Sequence, residues 1–220
     1  MSIINKIRRP FSYSFSNATL IIIAINILSF LVFSLTNLNE RLFSLSVAGF
    51  FYTKLFWQPV TYMFLHAGFQ HLFFNMLGLF FFGLAVEKAI GTKEFVLMYM
   101  TIGVLSGLFS VCAYFFYGKY LISINVYPTI YMINLVGASG AIYGILFSYA
   151  AFFPRNKIFI WGLLPVSAPL LVIAYAVIEF FSQFSGSNIA HMTHLAGFGF
   201  AFLYIVVRMG INPIKIWFRR

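Results

Sequence analysis

The chain is short of almost everything a water-soluble surface is built from. Of its 220 residues only 8% are charged, four acids against fourteen bases, and aspartate is absent altogether. Soluble domains carry roughly 25% charged and about 45–50% apolar residues, whereas this chain is 62% hydrophobic. That shortage excludes an ordinary soluble domain, a disordered chain and a nucleic-acid binder working through a soluble basic face. The single cysteine, Cys112, has no partner for an intrachain bridge, which excludes a disulfide-stapled secreted module. Inside its apolar run Cys112 reads as a small core or lipid-facing residue. Internal repeats, low-complexity tracts and an acidic tail are also missing.

Long hydrophobic runs are what the chain has instead. They fall at about Thr19–Leu35, Phe69–Ala89, Phe95–Tyr117, Leu135–Phe153, Ile158–Phe181 and Ile189–Met209. A spanning helix needs ~20 residues, so six such runs leave no room for a sizeable extramembrane domain. Unbroken runs also argue against a transmembrane barrel, whose strands alternate over about ten residues. The expected fold is all-α, a polytopic membrane protein with six transmembrane helices. Its parts are an N-terminal segment 1–18, a membrane domain 19–209 and a basic tail 210–220. Lys6, Arg8 and Arg9 ahead of the first run look like the start of a signal peptide, but no small-x-small cleavage site follows. An uncleaved first span is expected.

The bases set an orientation. With the N-terminus inside and six spans threaded, Lys6, Arg8, Arg9, Lys88, Lys93, Arg155, Lys157, Arg208, Lys215, Arg219 and Arg220 lie on the inner side. Only Arg41, Lys54 and Lys119 lie outside. Basic residues collect on cytoplasmic loops, so both termini are expected in the cytoplasm, and the positive charge needs no nucleic-acid partner. The first outer loop, roughly Thr36–Gln70, is long and semi-apolar and is expected to lie in the membrane interface. Pro59 would break any helix running from it straight into the second span.

Polar residues inside apolar runs cost free energy unless paired or wetted, which makes the few present informative. The four histidines form two clusters. His66 and His71 precede Asn75, and His71 and Asn75, four apart, share a helix face. His191 and His194 lie at the outer start of the sixth run. Between them in sequence comes Gly137-Ala-Ser139-Gly140, where a loop becomes the fourth helix. A serine there sits in the positive N-terminal field of the helix. Gly140 with Gly144, and Gly197 with Ala201, give the fourth and sixth helices small faces for close packing. That packing would bring Ser139 to His194. Each feature also has a plainer reading: a serine bonding the preceding turn, or a histidine bridging two helices. The common depth of Ser139, His194, His71 and Asn75 is what favours chemistry.

Metal chemistry is the competing reading. A zinc protease would be expected to carry His-Glu-x-x-His, which is absent, and Glu87 and Glu94 lie toward the inner side. A three-histidine site is geometrically open, with no carboxylate beside it to act as base. No metal or other cofactor is expected.

At this point the residues resemble the rhomboid family of intramembrane serine proteases. The matches run in order: His66-x-x-x-x-His71-x-x-x-Asn75, Gly83-x-x-x-Glu87-Lys88-x-x-Gly91, Gly137-Ala-Ser139-Gly140-x-x-Tyr143-Gly144, and Ala190-His191-x-x-His194-Leu-x-Gly197. The resemblance implies Ser139 as nucleophile and His194 as general base. It implies an oxyanion hole from His71, Asn75 and the Ser139 N–H, Tyr143 packed on the His194 ring, and Glu87 as a structural acid. His194-Leu-x-Gly197 favours His194 over His191 as the base. Glu179 is the only acid near the outer side of the late spans, and a Ser–His dyad is expected in which His194 is held by packing and ring stacking, not by a third carboxylate. Trp57-Gln58 stands where the family commonly has Trp-Arg, and Ala201 where the small residue is often Gly. His66 fits a structural hydrogen-bonder that orders the outer loop.

The function implied is cleavage of a transmembrane or membrane-adjacent segment of another membrane protein, single-pass by expectation, near the outer face. The first outer loop and the fifth span are the expected gate. The alternative is a catalytically inactive rhomboid-like protein that binds transmembrane helices. An unrelated transporter with histidines along a proton path is disfavoured by the missing repeat. The lack of a transit segment or large terminal domain points to a bacterial-type plasma membrane.

Overall fold

A computed structural model describes residues 7–8, 10–160, 162–184 and 191–218 of the chain. Ile189 and Ala190, assigned above to the sixth run and its motif, lie outside the described residues, as do Lys6, Arg9, Arg219 and Arg220.

Helix α1, Ala18–Leu35, buries one stripe, Ala18, Thr19, Ile22 and Asn26, and leaves the rest of its apolar surface exposed. That is the pattern of a helix with protein on one side and an apolar solvent on the other. Asn17 ahead of it makes no capping bond. The N–H groups of its first turn, which have no acceptor inside the helix, are instead met by Glu87 of α2, Phe69–Ile90. Gly91, at φ 82°, reverses the chain, and α3, Thr92–Ser123, runs 32 residues back along the bundle.

Helix α4, Ser139–Phe152, is buried on every side, by α6, His191–Met209, above all and by α3. Its 14 residues make about 21 Å at 1.5 Å per residue. The loop before it reaches inward to meet its short N-terminus: Leu135 exchanges both backbone hydrogen bonds with Leu45, and the Gly137 N–H donates to the Tyr62 carbonyl at 2.9 Å.

Two results differ from the sequence expectation. The fifth apolar run is not one helix. Its first part forms an antiparallel hairpin, β1 Lys157–Ile160 with β2 Leu164–Ser167, turning at Gly162 (φ 72°). Helix α5 begins only at Ala168 and runs to Ser182. β-branched residues suit the strands, Pro165 disfavours a helix interior, and Pro169 fits a first helical turn. The protein is mostly helical, then, but not purely so. Among the described residues, α1, α2, α3 and α6 are long and apolar enough to cross a membrane, while α4 and α5 are shorter.

The long loop after α1 is compact. Leu45, Val47, Tyr62 and Met63 are buried, and the Tyr62 hydroxyl donates to the Gly103 carbonyl of α3 at 2.7 Å. The starts of α2, α4 and α6 and the ends of α3 and α5 gather at one end of the bundle. At the other end Glu94 accepts from Tyr204 at 2.6 Å and from Arg208 at 2.8 and 2.9 Å.

Candidate active site

Ser139 is the first residue of α4, and His194 lies in the first turn of α6. They meet because the two helices touch backbone to backbone. A Cβ added to Gly197 would lie 2.2 Å from the Gly140 carbonyl oxygen, so no other residue fits that crossing unchanged. Ser139 Oγ and His194 Nε2 are 2.8 Å apart. Tyr143, one turn into α4, stacks on the imidazole with ring centroids 4.2 Å apart and planes 6° from parallel. A hydroxyl bonded to a ring nitrogen that can take its proton is the arrangement that activates a serine.

Donors stand around the same hydroxyl. As the first helical residue, Ser139 has a backbone N–H with no acceptor inside the helix, in the positive field of the helix start. Gly137, at φ 115°, lets the loop pass close to α2: a Cβ there would lie 2.8 Å from His71 Nε2 and 3.8 Å from Ser139 Oγ. His71 and Ser139 thus flank one small volume. Asn75, one turn below His71 and buried, donates one amide hydrogen to the His71 carbonyl at 2.9 Å. Its second amide hydrogen remains for an oxygen in the cleft.

A cavity of about 900 Å³ opens onto this group. Ser139, His194, His71 and Asn75 line one part, and Phe74, Leu77 and Phe81 of α2, Leu171 and Tyr175 of α5, and Ile158 and Ile160 of β1 line the rest. The wall is therefore apolar with a polar end. Of the two gate elements expected, α5 lines this cavity through Leu171 and Tyr175, and the first outer loop reaches it at its end, through Ala67 and Gln70.

The order of these residues along the chain can be set against known proteins. A family model described as Rhomboid domain matches residues 53–210. The chain belongs to the rhomboid family. It is 32% identical over 156 residues to YdcA of Bacillus subtilis, covering 69% of this chain and 68% of that protein. It is 33% identical over 143 residues to the rhomboid protease GluP of Bacillus subtilis, 64% of this chain and 24% of that one. With the rhomboid protease AarA of Providencia stuartii the identity is 37% over 110 residues, 49% of this chain and 38% of the other. The match thus spans about two-thirds of the first relative and well under half of the other two.

In this rhomboid the sequence reading missed one residue. It expected stacking and packing alone to hold His194. The stack is there, and so is a carboxylate: Glu179 of α5 is buried, with Oε1 3.0 Å from His194 Nδ1 and Oε2 2.5 Å from His191 Nδ1. Oε1 also accepts the Tyr143 hydroxyl. Because it serves a phenol and an imidazole whose rings are stacked, it approaches Nδ1 obliquely and not as an aligned hydrogen bond. Glu179, His191 and His194 are also the grouping, among the described residues, whose ligand atoms lie close enough for a metal ion, within 4.8 Å of one another. The metal reading above saw no carboxylate beside its histidines; Glu179 is one. The contacts among the three are equally those of imidazoles sharing protons with a carboxylate.

The remaining residues singled out from the sequence lie around this centre or far from it. His66 is buried beside His71, ring centroids 5.1 Å apart, and neither of its ring nitrogens has an aligned hydrogen-bond partner. Its ring touches the site through His71, and the Phe64 backbone beside it is its link to the outer loop. Burial, and after it the His71 ring, brings its pKa down to about 4, so it is neutral at physiological pH. Glu87 is at the opposite end. Its carboxylate accepts from the Ala18 and Thr19 N–H groups at 2.8 and 2.9 Å and from the Thr19 and Thr92 hydroxyls at 2.7 and 2.6 Å. Gln58 is wholly buried where the family commonly has arginine; its amide donates to the Arg41 carbonyl at 3.0 Å and accepts from the Ser46 N–H at 3.3 Å. With Trp57 donating to the Leu42 carbonyl at 2.8 Å, a neutral amide closes the loop onto itself.

Proposed function

We propose that this protein is an intramembrane serine endopeptidase that cleaves transmembrane or membrane-adjacent segments of other membrane proteins. The single observation that carries the reading is the 2.8 Å contact between Ser139 Oγ and His194 Nε2 beside a cavity with an apolar wall. Two relatives named rhomboid proteases support it.

In this reading His194 Nε2 takes the Ser139 proton as Oγ attacks the scissile carbonyl. The oxyanion is met by the Ser139 N–H, His71 and Asn75, donors already in place before charge develops. The imidazolium returns its proton to the leaving amine, and water, activated by the same ring, releases the acyl group. Tyr143 keeps the ring in register, and Gly137 and Gly140 allow the close approaches. The substrate is a single-pass segment entering the cavity between α2 and α5. A helical peptide bond hides its carbonyl, so helix-breaking or small residues near the cleaved bond favour reaction.

The membrane arrangement belongs to the same proposal. All six helices cross the bilayer as one domain over 19–209, with 1–18 and 210–220 in the cytoplasm of a bacterial plasma membrane. Helix α4, about 21 Å long, is shorter than the hydrocarbon core of about 30 Å, which leaves Ser139 recessed from the outer face in a pocket that water fills.

Reconstitution with a single-pass model substrate tests the reading. Cleavage by the wild type and its loss in Ser139→Ala and His194→Ala are expected, with fluorophosphonate labelling of Ser139 in the wild type alone. Cleavage that survives either substitution would overturn the assignment, and a wild type that binds the helix without cutting it would make the protein a non-catalytic relative.

A further inference from the structure

Three of the chain's four acids are buried: Glu87, Glu94 and Glu179. A carboxylate among apolar helices costs free energy unless its oxygens are fully engaged. Two of the three are accounted for by architecture. Glu87 caps α1 through two backbone N–H groups, and Glu94 holds the Arg208 guanidinium. Glu179 does neither. Its partners are the Tyr143 hydroxyl on α4 and His191 Nδ1 and His194 Nδ1 on α6, each on a side chain that can carry a proton.

The geometry points to Glu179 as a positioning residue that completes a Ser139–His194–Glu179 chain, with His191 and Tyr143 holding its carboxylate in place. This rests on the protease reading above. The reasoning is about tautomers. A neutral imidazole carries one N–H, and it can accept the Ser139 proton only if Nε2 is the bare nitrogen. A carboxylate oxygen 3.0 Å from Nδ1, oblique though its approach is, favours the hydrogen there through its charge, which leaves the Nε2 lone pair facing Ser139. When Nε2 takes the serine proton, the same oxygen stabilises the imidazolium. No atom beyond these is needed: the proton passes from Oγ to Nε2, and the Nδ1 proton stays where it was. His191, across the carboxylate on Oε2, supplies a second donor and keeps Oε1 directed at Tyr143 and His194. The plainer alternative is that Glu179 only clamps α5 against α6.

The titratable groups facing His194 come from four helices: His71 on α2, Tyr143 on α4, Glu179 on α5 and His191 on α6. Steady-state cleavage as a function of pH, with Glu179→Gln, Glu179→Asp and Tyr143→Phe in the reconstituted full chain, separates positioning from clamping. Glu179→Gln is expected to lower kcat by roughly 10²- to 10⁴-fold, the range for loss of the orienting carboxylate, with KM unchanged. The acidic limb of kcat/KM, which reports the base of the free enzyme, should move to lower pH because the imidazolium has lost its counter-charge. Tyr143→Phe keeps the stacked ring but leaves Oε1 to His194 alone and should move the limb the other way. Glu179→Asp should recover part of the loss. If Glu179→Gln does not fold, as judged by size exclusion and thermal unfolding, the limb shift of Tyr143→Phe decides. A limb that stays fixed in every folded variant, or a Glu179→Gln enzyme with wild-type kcat, overturns the proposal and leaves an unassisted Ser–His pair. If the wild type itself neither cleaves nor labels at Ser139, the protease reading has failed instead.

Discussion

Asn75 shows how much one side chain can carry in a chain with so few polar groups. Its amide gives one hydrogen to the His71 carbonyl, and the residue lines the cavity shared with His71 and Ser139. A preset oxyanion donor is worth about 2.7–4 kcal/mol in comparable sites. Asn75→Ala is therefore expected to lower kcat by about 10²- to 10³-fold while leaving activity measurable above the Ser139→Ala background, since the Ser139 N–H and His71 remain. Steady-state cleavage in liposomes checks this, and an Asn75→Ala enzyme with unchanged kcat would remove the residue from the oxyanion site. Ser139, His194, His71 and Asn75 were legible in the sequence because polar side chains are rare in apolar runs, and all four line one cavity. Glu179 was visible on the same grounds, as an isolated acid in a late run. Its meaning was not, because it depends on how α5 is rotated against α6, and no spacing within one helix encodes that.

At the scale of elements, the site depends on the α4–α6 crossing. The small faces Gly140/Gly144 and Gly197/Ala201 suggested that crossing from sequence, and the backbones do touch there, with the Gly140 carbonyl where a Gly197 side chain would be. Gly197→Ala is expected to push the helices apart and to cost about 1–3 kcal/mol of stability, as overpacking does. It also widens the Ser139–His194 contact, and a misplacement of about 1 Å can cost 10²-fold in rate. Thermal unfolding together with kcat reads both effects; a variant with unchanged kcat would mean the crossing does not set the contact. The fifth run was less legible. Ile158-Phe-Ile and the residues up to Ser167 are as apolar as a helix, and periodicity cannot separate a short buried strand from a helix. Pro165 and Pro169 were the available signal. The hairpin they permit puts Ile158 and Ile160 into the cavity wall, so a segment read as span takes part in the site.

For the whole molecule, the scarce charges divide between the two ends of the bundle. Among the described residues Arg8, Lys88, Lys93, Arg155, Lys157, Arg208 and Lys215 lie at the end away from Ser139, and Arg41, Lys54 and Lys119 at the Ser139 end. Arg8 reaches the Val207 carbonyl at 3.1 Å and Arg208 is tied to Glu94, so two of these bases also brace the helix ends. All of them act on topology, because retention of Lys and Arg on the cytoplasmic side is a property of short loops. Every loop here is short enough for that rule to apply. The Ser139 end should therefore face away from the cytoplasm, and a substrate should be cut toward its outer end. Cysteine labelling tests the orientation directly, since the chain has only Cys112 to remove. In a Cys112→Ser background, Lys119→Cys and Arg155→Cys each place a thiol at an exposed position on opposite ends. A membrane-impermeant maleimide applied to intact spheroplasts is expected to label the first at once and the second only after permeabilisation. The reverse pattern would invert the topology and put the cleft on the cytoplasmic side. Labelling of both before permeabilisation would mean that the charge asymmetry does not fix the orientation.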